Sequence, residues 1–274
     1  MGTMGATQDM PPDPNIPTVA LAHRDLGGTD FPPLVILHGM LGSSRNWQTA
    51  GSELAGRRRV HALDLRNHGQ SPHADSMSYA EMAADVVAWL DSRRIWQTDL
   101  MGHSMGGKVA MLLACRTPER VGRLTVVDTA PRDYYWPAHR DEFAAMSALD
   151  LGAIRSRAEA EARMEDRIPN WAMRKFIATN LERVAGGGWK WQFNLPAIRA
   201  ALPELEKNPL LQADRFPGPA LFVAGGKSAY VQPGDRGAIL GHFPSATIVT
   251  LPDSGHNPHI ESREAFVRAV ESAP

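Results

Sequence analysis

Short apolar runs separated by polar turns recur through the first half of the chain, and their length decides what they form. Leu34-Val35-Ile36-Leu37 is unbroken and of strand length, the mark of a strand buried on both faces. Val60-His61-Ala62-Leu63-Asp64, Thr98-Asp99-Leu100-Met101 and Leu124-Thr125-Val126-Val127-Asp128 read as further strands, and Val19-Ala20-Leu21-Ala22-His23 as an edge strand. Between them the period becomes helical. Ser78 caps a segment in which Met82, Val86, Val87 and Leu90 follow at helical spacing. Lys108-Val109-Ala110-Met111-Leu112-Leu113-Ala114 has helix-forming composition and meets no breaker until Pro118. Strands alternating with helices predict a mostly parallel sheet covered on both faces, with ligands at the carboxyl ends of the strands.

The pattern changes from Pro131 to Pro217. Strand runs disappear, and helical segments are predicted over 138–150, 151–167 and 171–184, followed by Gly186-Gly187-Gly188 and Trp189-Lys190-Trp191-Gln192-Phe193. Alternation resumes at Ala220-Leu221-Phe222-Val223-Ala224 and Ala246-Thr247-Ile248-Val249-Thr250-Leu251, with a closing helix from about His259. An all-helical insertion into an unfinished sheet predicts a lid over the strand ends rather than a separate domain. The expected organisation is a disordered tail over 1–17, a core over 18–130 and 218–274, and a lid over 131–217.

Composition narrows the class. A chain of 274 residues suits one α/β domain carrying an insertion. A net charge of −1 gives no electrostatic case for nucleic acid or an anionic membrane surface. The single cysteine, Cys115, excludes an internal disulfide framework, and no metal-ligand spacing is present. The proline-rich first residues have no signal-peptide run, and no apolar stretch is long enough for a membrane span. The expected setting is the cytoplasm, without cofactor or metal. Nothing in the pattern fixes an oligomeric state.

The chemistry concentrates at Gly102-His103-Ser104-Met105-Gly106, between a predicted strand and a predicted helix. A serine in that setting is a nucleophile elbow: the tight turn projects its hydroxyl, and the next backbone N–H faces a developing oxyanion. His38-Gly39-Met40-Leu41-Gly42-Ser43 follows the early strand, where the second oxyanion donor is expected. The N–H groups of Met40 and Met105 are therefore the expected oxyanion hole, in which one donor is worth roughly 3–4 kcal/mol.

A serine hydroxyl needs a base, and the base needs a third group to fix its tautomer. Among ten histidines, His256 in Asp253-Ser254-Gly255-His256-Asn257 directly follows the last predicted strand and is the expected base. His139 falls in the insertion, His242 precedes Phe243-Pro244, and His259 is expected to be solvated at the start of the final helix. His103 packs under the site, and His38 is expected to brace the oxyanion loop. Asp64, Arg66 and His68 belong to a bracing turn. For the acid, the loop Gly225-Gly226-Lys227-Ser228-Ala229-Tyr230-Val231 offers no carboxylate. Asp128 stands at the top of the strand beside the elbow strand and is the expected acid. Asp235 lies too far along, beyond Pro233, and Asp253 is too local to His256. His38, Leu41, His103, Trp189 and Tyr230 are the candidate pocket residues. Trp136, Trp171, Trp191, Tyr134 and Tyr135 add to an aromatic-rich insertion that suggests an apolar acyl or aryl pocket.

Together, His38-Gly39-Met40-Leu41-Gly42-Ser43, Asp64-x-Arg66-Asn67-His68-Gly69-x-Ser71-Pro72 and Gly102-His103-Ser104-Met105-Gly106-Gly107-Lys108 resemble the YbfF-type esterases of the α/β-hydrolase superfamily. Arg66-Asn67-His68-Gly69 is the sharpest marker. The resemblance implies a mostly parallel eight-stranded sheet with a helical lid after strand six. It also implies a cofactor-free serine hydrolase of carboxylic esters, with the acid after the sixth strand, where Asp128 stands. An acyl thioesterase or a C–C bond hydrolase would use the same triad, as would a cofactor-free haloperoxidase side activity. A non-catalytic binding module on this fold is the reading from another class, and the presence of all three triad residue types argues against it.

Overall fold

An apolar run with no polar break cannot face water on either side, and Leu34–Leu37 sits accordingly inside the sheet, each residue 2 % exposed or less. The computed structural model describes residues 16–30 and 32–273, so the expected tail lies almost wholly outside the described residues. The chain runs through β1 (His23–Gly27), β2 (Leu34–Leu37), α1 (Gln48–Leu54), β3 (Val60–Leu63), α2 (Tyr79–Ser92), β4 (Thr98–His103), α3 (Met105–Arg116) and β5 (Val121–Val127). An insertion follows, with α4 (Pro137–Ala148), α5 (Arg157–Arg163), α6 (Trp171–Ala178), β6 (Leu181–Arg183), β7 (Trp189–Trp191) and α7 (Leu195–Leu205). The core resumes as β8 (Ala220–Gly225), α8 (Arg236–His242), β9 (Ala246–Leu251), α9 (Pro258–Glu261) and α10 (Arg263–Ser272).

The main sheet has the order β1-β3-β2-β4-β5-β8-β9. Only β1 is antiparallel to its neighbour. From β2 the chain steps to β3 on one side and then to β4 on the other. That reversal opens a crevice at the carboxyl ends of β2 and β4, where α/β sheets take their ligands. Val35, Leu37, Leu100 and Val126 pack under α2 and α3 on one face. Leu34, Ile36, Met101 and Val127 pack with Trp47, Leu54, Phe266 and Val270 on the other. The first of these clusters continues without a break into Phe143, Ile154, Ile177, Leu181 and Ile198 of the insertion.

The structure corrects three expectations. Among the described residues the main sheet has seven strands, not eight, and the insertion follows the fifth strand. The edge strand begins at His23 instead of Val19, because the N–H of Val19 bonds Asp85 and that of Ala22 bonds Ser71 Oγ. The polar residues Arg24 and Asp25 of β1 hid it from a reading based on apolar runs.

The insertion is also not all helical. Gly186, Gly187 and Gly188 have φ of 95°, 107° and 83°, which no helix allows. They form the tip of a hairpin in which Leu181 pairs with Trp191 and Arg183 with Trp189. The alternating tryptophans of β7 are a strand pattern.

Below the crevice, Arg66 is buried with a fork of carboxylates. Its Nε and Nη2 meet Asp85 at 2.6 and 2.9 Å, Nη1 meets Glu81 at 2.8 Å, and Nη2 also reaches the Pro17 carbonyl at 2.8 Å. Ser78 and Glu81 close a capping box on α2, so the guanidinium ties the turn after β3 to a helix start. Replacing it by Arg66→Met would leave the wholly buried Asp85 unpaired. The expected loss is about 3–5 kcal/mol in urea unfolding, the cost of breaking a buried pair from one side. A loss below about 1 kcal/mol would show that water already screens the pair.

Candidate active site

Two chain segments cross so closely at the end of β4 that side chains are excluded. A Cβ on Gly102 would lie 2.1 Å from the Gly106 carbonyl oxygen, and one on Gly106 would lie 2.5 Å from the carbonyl oxygen of His38. The chain turns inside that space at Ser104, with φ 52° and ψ −116°, a conformation that costs a non-glycine residue energy. It is held by its N–H to the Val127 carbonyl at 3.0 Å and by its carbonyl to the Lys108 N–H at 3.1 Å. Met105 opens α3, where a backbone N–H has no partner within the helix and favours an anion.

Asp128 follows β5 and is fully buried, also at positive φ, 48°. Its Oδ1 accepts from the Gly225 N–H at 2.9 Å. Its Oδ2 accepts from Ser228 Oγ at 2.5 Å and from His256 Nδ1 at 2.8 Å. With Nδ1 donating, the free imidazole would present Nε2 as its acceptor. The loop after β8, which holds no carboxylate, thus sends a backbone N–H and a hydroxyl to a carboxylate from the next strand. Asp235 instead pairs with Arg132 at 3.0 Å, and Asp253 is exposed beside Lys227 at 3.6 Å, so neither competes for His256.

His256 is fixed on several sides. The Tyr230 ring stacks on it at 3.8 Å between centroids and 18° between planes. His103 Nε2 donates to its carbonyl at 2.7 Å. One carboxylate, Glu261, accepts the N–H groups of Gly255 and Asn257 on either side, at 2.6 and 3.0 Å. Among the described residues no hydrogen bond joins Ser104 Oγ to His256. Such contacts are commonly loose before substrate binds.

The loop after β2 is braced by two neutral histidines. His38 Nε2 accepts the Leu65 N–H at 3.0 Å while Nδ1 donates to the Gly39 carbonyl at 2.8 Å. His68 Nε2 accepts the Leu41 N–H at 3.2 Å while Nδ1 donates to the Arg66 carbonyl at 2.9 Å. Asp64 accepts from Ser44 and Gln70, at 2.6 and 2.9 Å. Met40 lies on this loop, across the crevice from Met105.

Several expectations shift here. His38, His103 and Leu41 are buried, and the ring nitrogens of His38 and Nε2 of His103 serve backbone groups. Those nitrogens are thus occupied by the protein's own backbone. Trp189 packs within the insertion, under the guanidinium groups of Arg183 and Arg157 at 4.7 and 5.7 Å. Tyr230 stacks on the ring of His256. His259 is buried, stacked on Trp47 at 4.1 Å, and not solvated.

Sequence reasoning missed Glu261, Ser228 as a partner of Asp128, and Lys108. The Lys108 ammonium reaches from α3 to the carbonyls of Glu206 and Lys207 at the end of α7, at 3.2 and 2.5 Å, under the rings of Tyr134 and Trp136. Its place four residues after the serine was the one available signal. None of the described helices is long and apolar enough to cross a membrane.

Comparison with known proteins identifies the family. The model of the alpha/beta hydrolase fold matches residues 32–262. The sn-1-specific diacylglycerol lipase ABHD11 of Mus musculus is 37 % identical over 253 residues, covering 90 % of this chain and 82 % of its own length. Esterase YbfF of Escherichia coli (strain K12) is 34 % identical over 241 residues, covering 87 % and 91 %. Among solved structures, a marine microorganism esterase superposes with a TM-score of 0.90 at 34 % identity, over 94 % of this chain and all of that one.

The buried rings give a pH signature. Burial pushes His68 and His259 down to about 3 from an ordinary value of 6.5. Between those values the unfolded chain binds two protons that the folded chain refuses. Stability is therefore full above pH 6.5 and falls as pH is lowered toward 3. These two rings alone set a slope of up to about 2.7 kcal/mol per pH unit in that window. Urea unfolding at pH 7.5, 6 and 5 measures it, and a flat profile would mean that the rings charge inside the fold.

Proposed function

We propose that this chain, which belongs to the α/β-hydrolase family as one of its YbfF-type members, is a serine hydrolase that cleaves carboxylic esters through an acyl-enzyme on Ser104. The observation that carries the reading is the 2.8 Å contact between Asp128 Oδ2 and His256 Nδ1, made beside a serine held in a strained elbow. Relatives named as an esterase and a diacylglycerol lipase support an ester substrate.

The mechanism follows from the roles these atoms can take. His256 Nε2 removes the Ser104 hydroxyl proton as Oγ attacks the ester carbonyl carbon. The carbonyl π electrons move to oxygen, and the N–H groups of Met40 and Met105 receive the oxyanion. Asp128 keeps the proton on Nδ1 and stabilises the imidazolium. As the tetrahedral intermediate collapses, the C–O bond to the alcohol breaks and Nε2–H protonates the leaving oxygen. Water, deprotonated by His256, then attacks the acyl carbon; the bond from that carbon to Ser104 Oγ breaks, Nε2–H returns the proton to Oγ, and the acid leaves. The insertion over 131–217 acts as the lid; its Tyr134 and Trp136 pack on Tyr230 of the loop after β8, forming an aromatic wall beside the base. That wall suits short to medium acyl or aryl groups.

Ser104→Ala should abolish p-nitrophenyl ester turnover and fluorophosphonate labelling without unfolding the protein; a labelled mutant would place the nucleophile elsewhere. Asp128→Asn keeps the shape but favours the wrong imidazole tautomer, and kcat should fall by about 10⁴. Asp235→Asn and Asp253→Asn serve as comparisons and should change kcat by less than about threefold, since Asp235 is engaged by Arg132 and Asp253 is exposed beside Lys227, where a pair contributes little. If either of them matches the loss at Asp128, the acid has been misassigned.

A further inference from the structure

Leu41, the residue after the candidate oxyanion donor Met40, has φ +60°, a conformation that a leucine keeps only when its surroundings impose it. Two side chains impose it here. His68 Nε2 takes its N–H at 3.2 Å, and the Nδ2 of Asn180 donates to its carbonyl at 3.0 Å. His68 belongs to the core, but Asn180 belongs to the insertion: it is buried and directly precedes β6.

The brace itself is held in the same manner. Asn67, next to His68, has φ +64°. Its carbonyl accepts the Asn194 N–H at 2.9 Å, and its Oδ1 accepts Asn194 Nδ2 at 3.1 Å. Asn194 lies between β7 and α7. The Gln192 N–H donates to the Asn180 carbonyl at 2.9 Å, so the two asparagines sit at the closed base of one hairpin. Two strained non-glycine residues of the core are thus fastened by the two ends of one hairpin in the insertion.

We propose that the insertion is a working part of the oxyanion hole, with Asn180 and Asn194 as positioning residues that hold the Met40 N–H through Leu41 and through Asn67–His68. The inference rests on the assignment of Ser104, Met40 and Met105 made above. Freed at its carbonyl, Leu41 relaxes toward negative φ, the Met40–Leu41 peptide turns, and Met40 is displaced with it, carrying the N–H that it holds in the preceding Gly39–Met40 peptide. Freed from Asn194, the Asn67–His68 turn no longer presents Nε2 to the Leu41 N–H. In both cases the donor moves away from the place where negative charge develops, while the ester's ground-state contacts stay as they were. A lid that only selects acyl chains would leave the hydrolysis of a very small ester untouched.

The test uses the full chain with p-nitrophenyl acetate as substrate and a trifluoromethyl ketone as an oxyanion-forming inhibitor. Asn180→Asp is nearly isosteric and places an oxygen where the donor stood; Asn194→Ala cuts the second tie. Asn170→Ala removes only the cap on the Met173 N–H at the start of α6 and serves as the reference for general loosening of the lid. For Asn180→Asp and Asn194→Ala, kcat should fall by about 10–100-fold, part of what loss or misplacement of one donor costs. KM should stay within about twofold, ketone affinity should weaken by the same factor as kcat, and Asn170→Ala should keep the parental kcat. Thermal unfolding separates these effects from loss of fold, and if Asn180→Asp fails to fold, Asn194→Ala decides. A folded variant with parental kcat and ketone affinity overturns the proposal and leaves the serine mechanism standing. Parental protein that neither reacts with a fluorophosphonate nor hydrolyses the ester overturns both.

Discussion

Backbone crowding where β2 meets β4 is the constraint on which the rest of this site depends. Gly106 lies against the carbonyls of Leu37 and His38, and Gly39 leaves no room for a Cβ, which would stand 2.9 Å from His103 Nδ1. With the two segments in contact, the turn between Gly102 and Gly106 has no relaxed conformation available, and Ser104 takes up the strain. The same proximity puts the Met40 loop across a narrow crevice from the first turn of α3. A side chain added at Gly39, Gly102 or Gly106 would push one segment into the other.

Strain is not spread evenly over the molecule. Of the five described non-glycine residues at positive φ, four surround this crevice: Leu41, Asn67, Ser104 and Asp128. Each such residue costs on the order of 1–3 kcal/mol and persists only where its neighbours over-determine it. Here the neighbours are identifiable. Val127 and Lys108 fix Ser104, the Val223 carbonyl accepts the Asp128 N–H at 2.8 Å, and histidine and asparagine side chains fix the other two. The fasteners come from β5, α3, β8, the turn after β3 and the insertion, so the geometry of a few atoms is set by most of the fold.

That distribution explains what could be read from the sequence. The elbow, the His-Gly loop and the terminal histidine loop are local patterns whose glycines and order carry their own meaning, and they predicted where the strands end. Asp128 could be chosen because the loop after β8 held no carboxylate, but nothing local says that Ser228 and the Gly225 N–H would converge on it. Glu261 binds N–H groups six and four residues before it, and the asparagines beside the hairpin act across more than a hundred residues; such roles exist only once the chain is folded. The hairpin itself was hidden because Leu181–Arg183 continues a helical segment in composition, and only the three glycines after it mark a turn. Arg66-Asn67-His68-Gly69 stood out as a family marker before its physics was visible: Arg66 neutralises buried carboxylates, Asn67 meets the insertion, and His68 carries the Leu41 N–H.

The histidines complete the argument. An imidazole can accept a backbone N–H only while it is neutral, so the bonds from Leu65 to His38 and from Leu41 to His68 exist only because burial keeps both rings from protonating. His103 and His259 are held neutral by the same cause, with a further push from His256. These rings supply shape and hydrogen bonds without adding charge to the crevice. His256 differs in two respects that matter for proton transfer: it is the partly exposed ring, and its Nδ1 faces a buried carboxylate. In the proposed mechanism, a proton taken from Ser104 would make His256 the one imidazolium in a group of neutral rings, beside the buried carboxylate of Asp128.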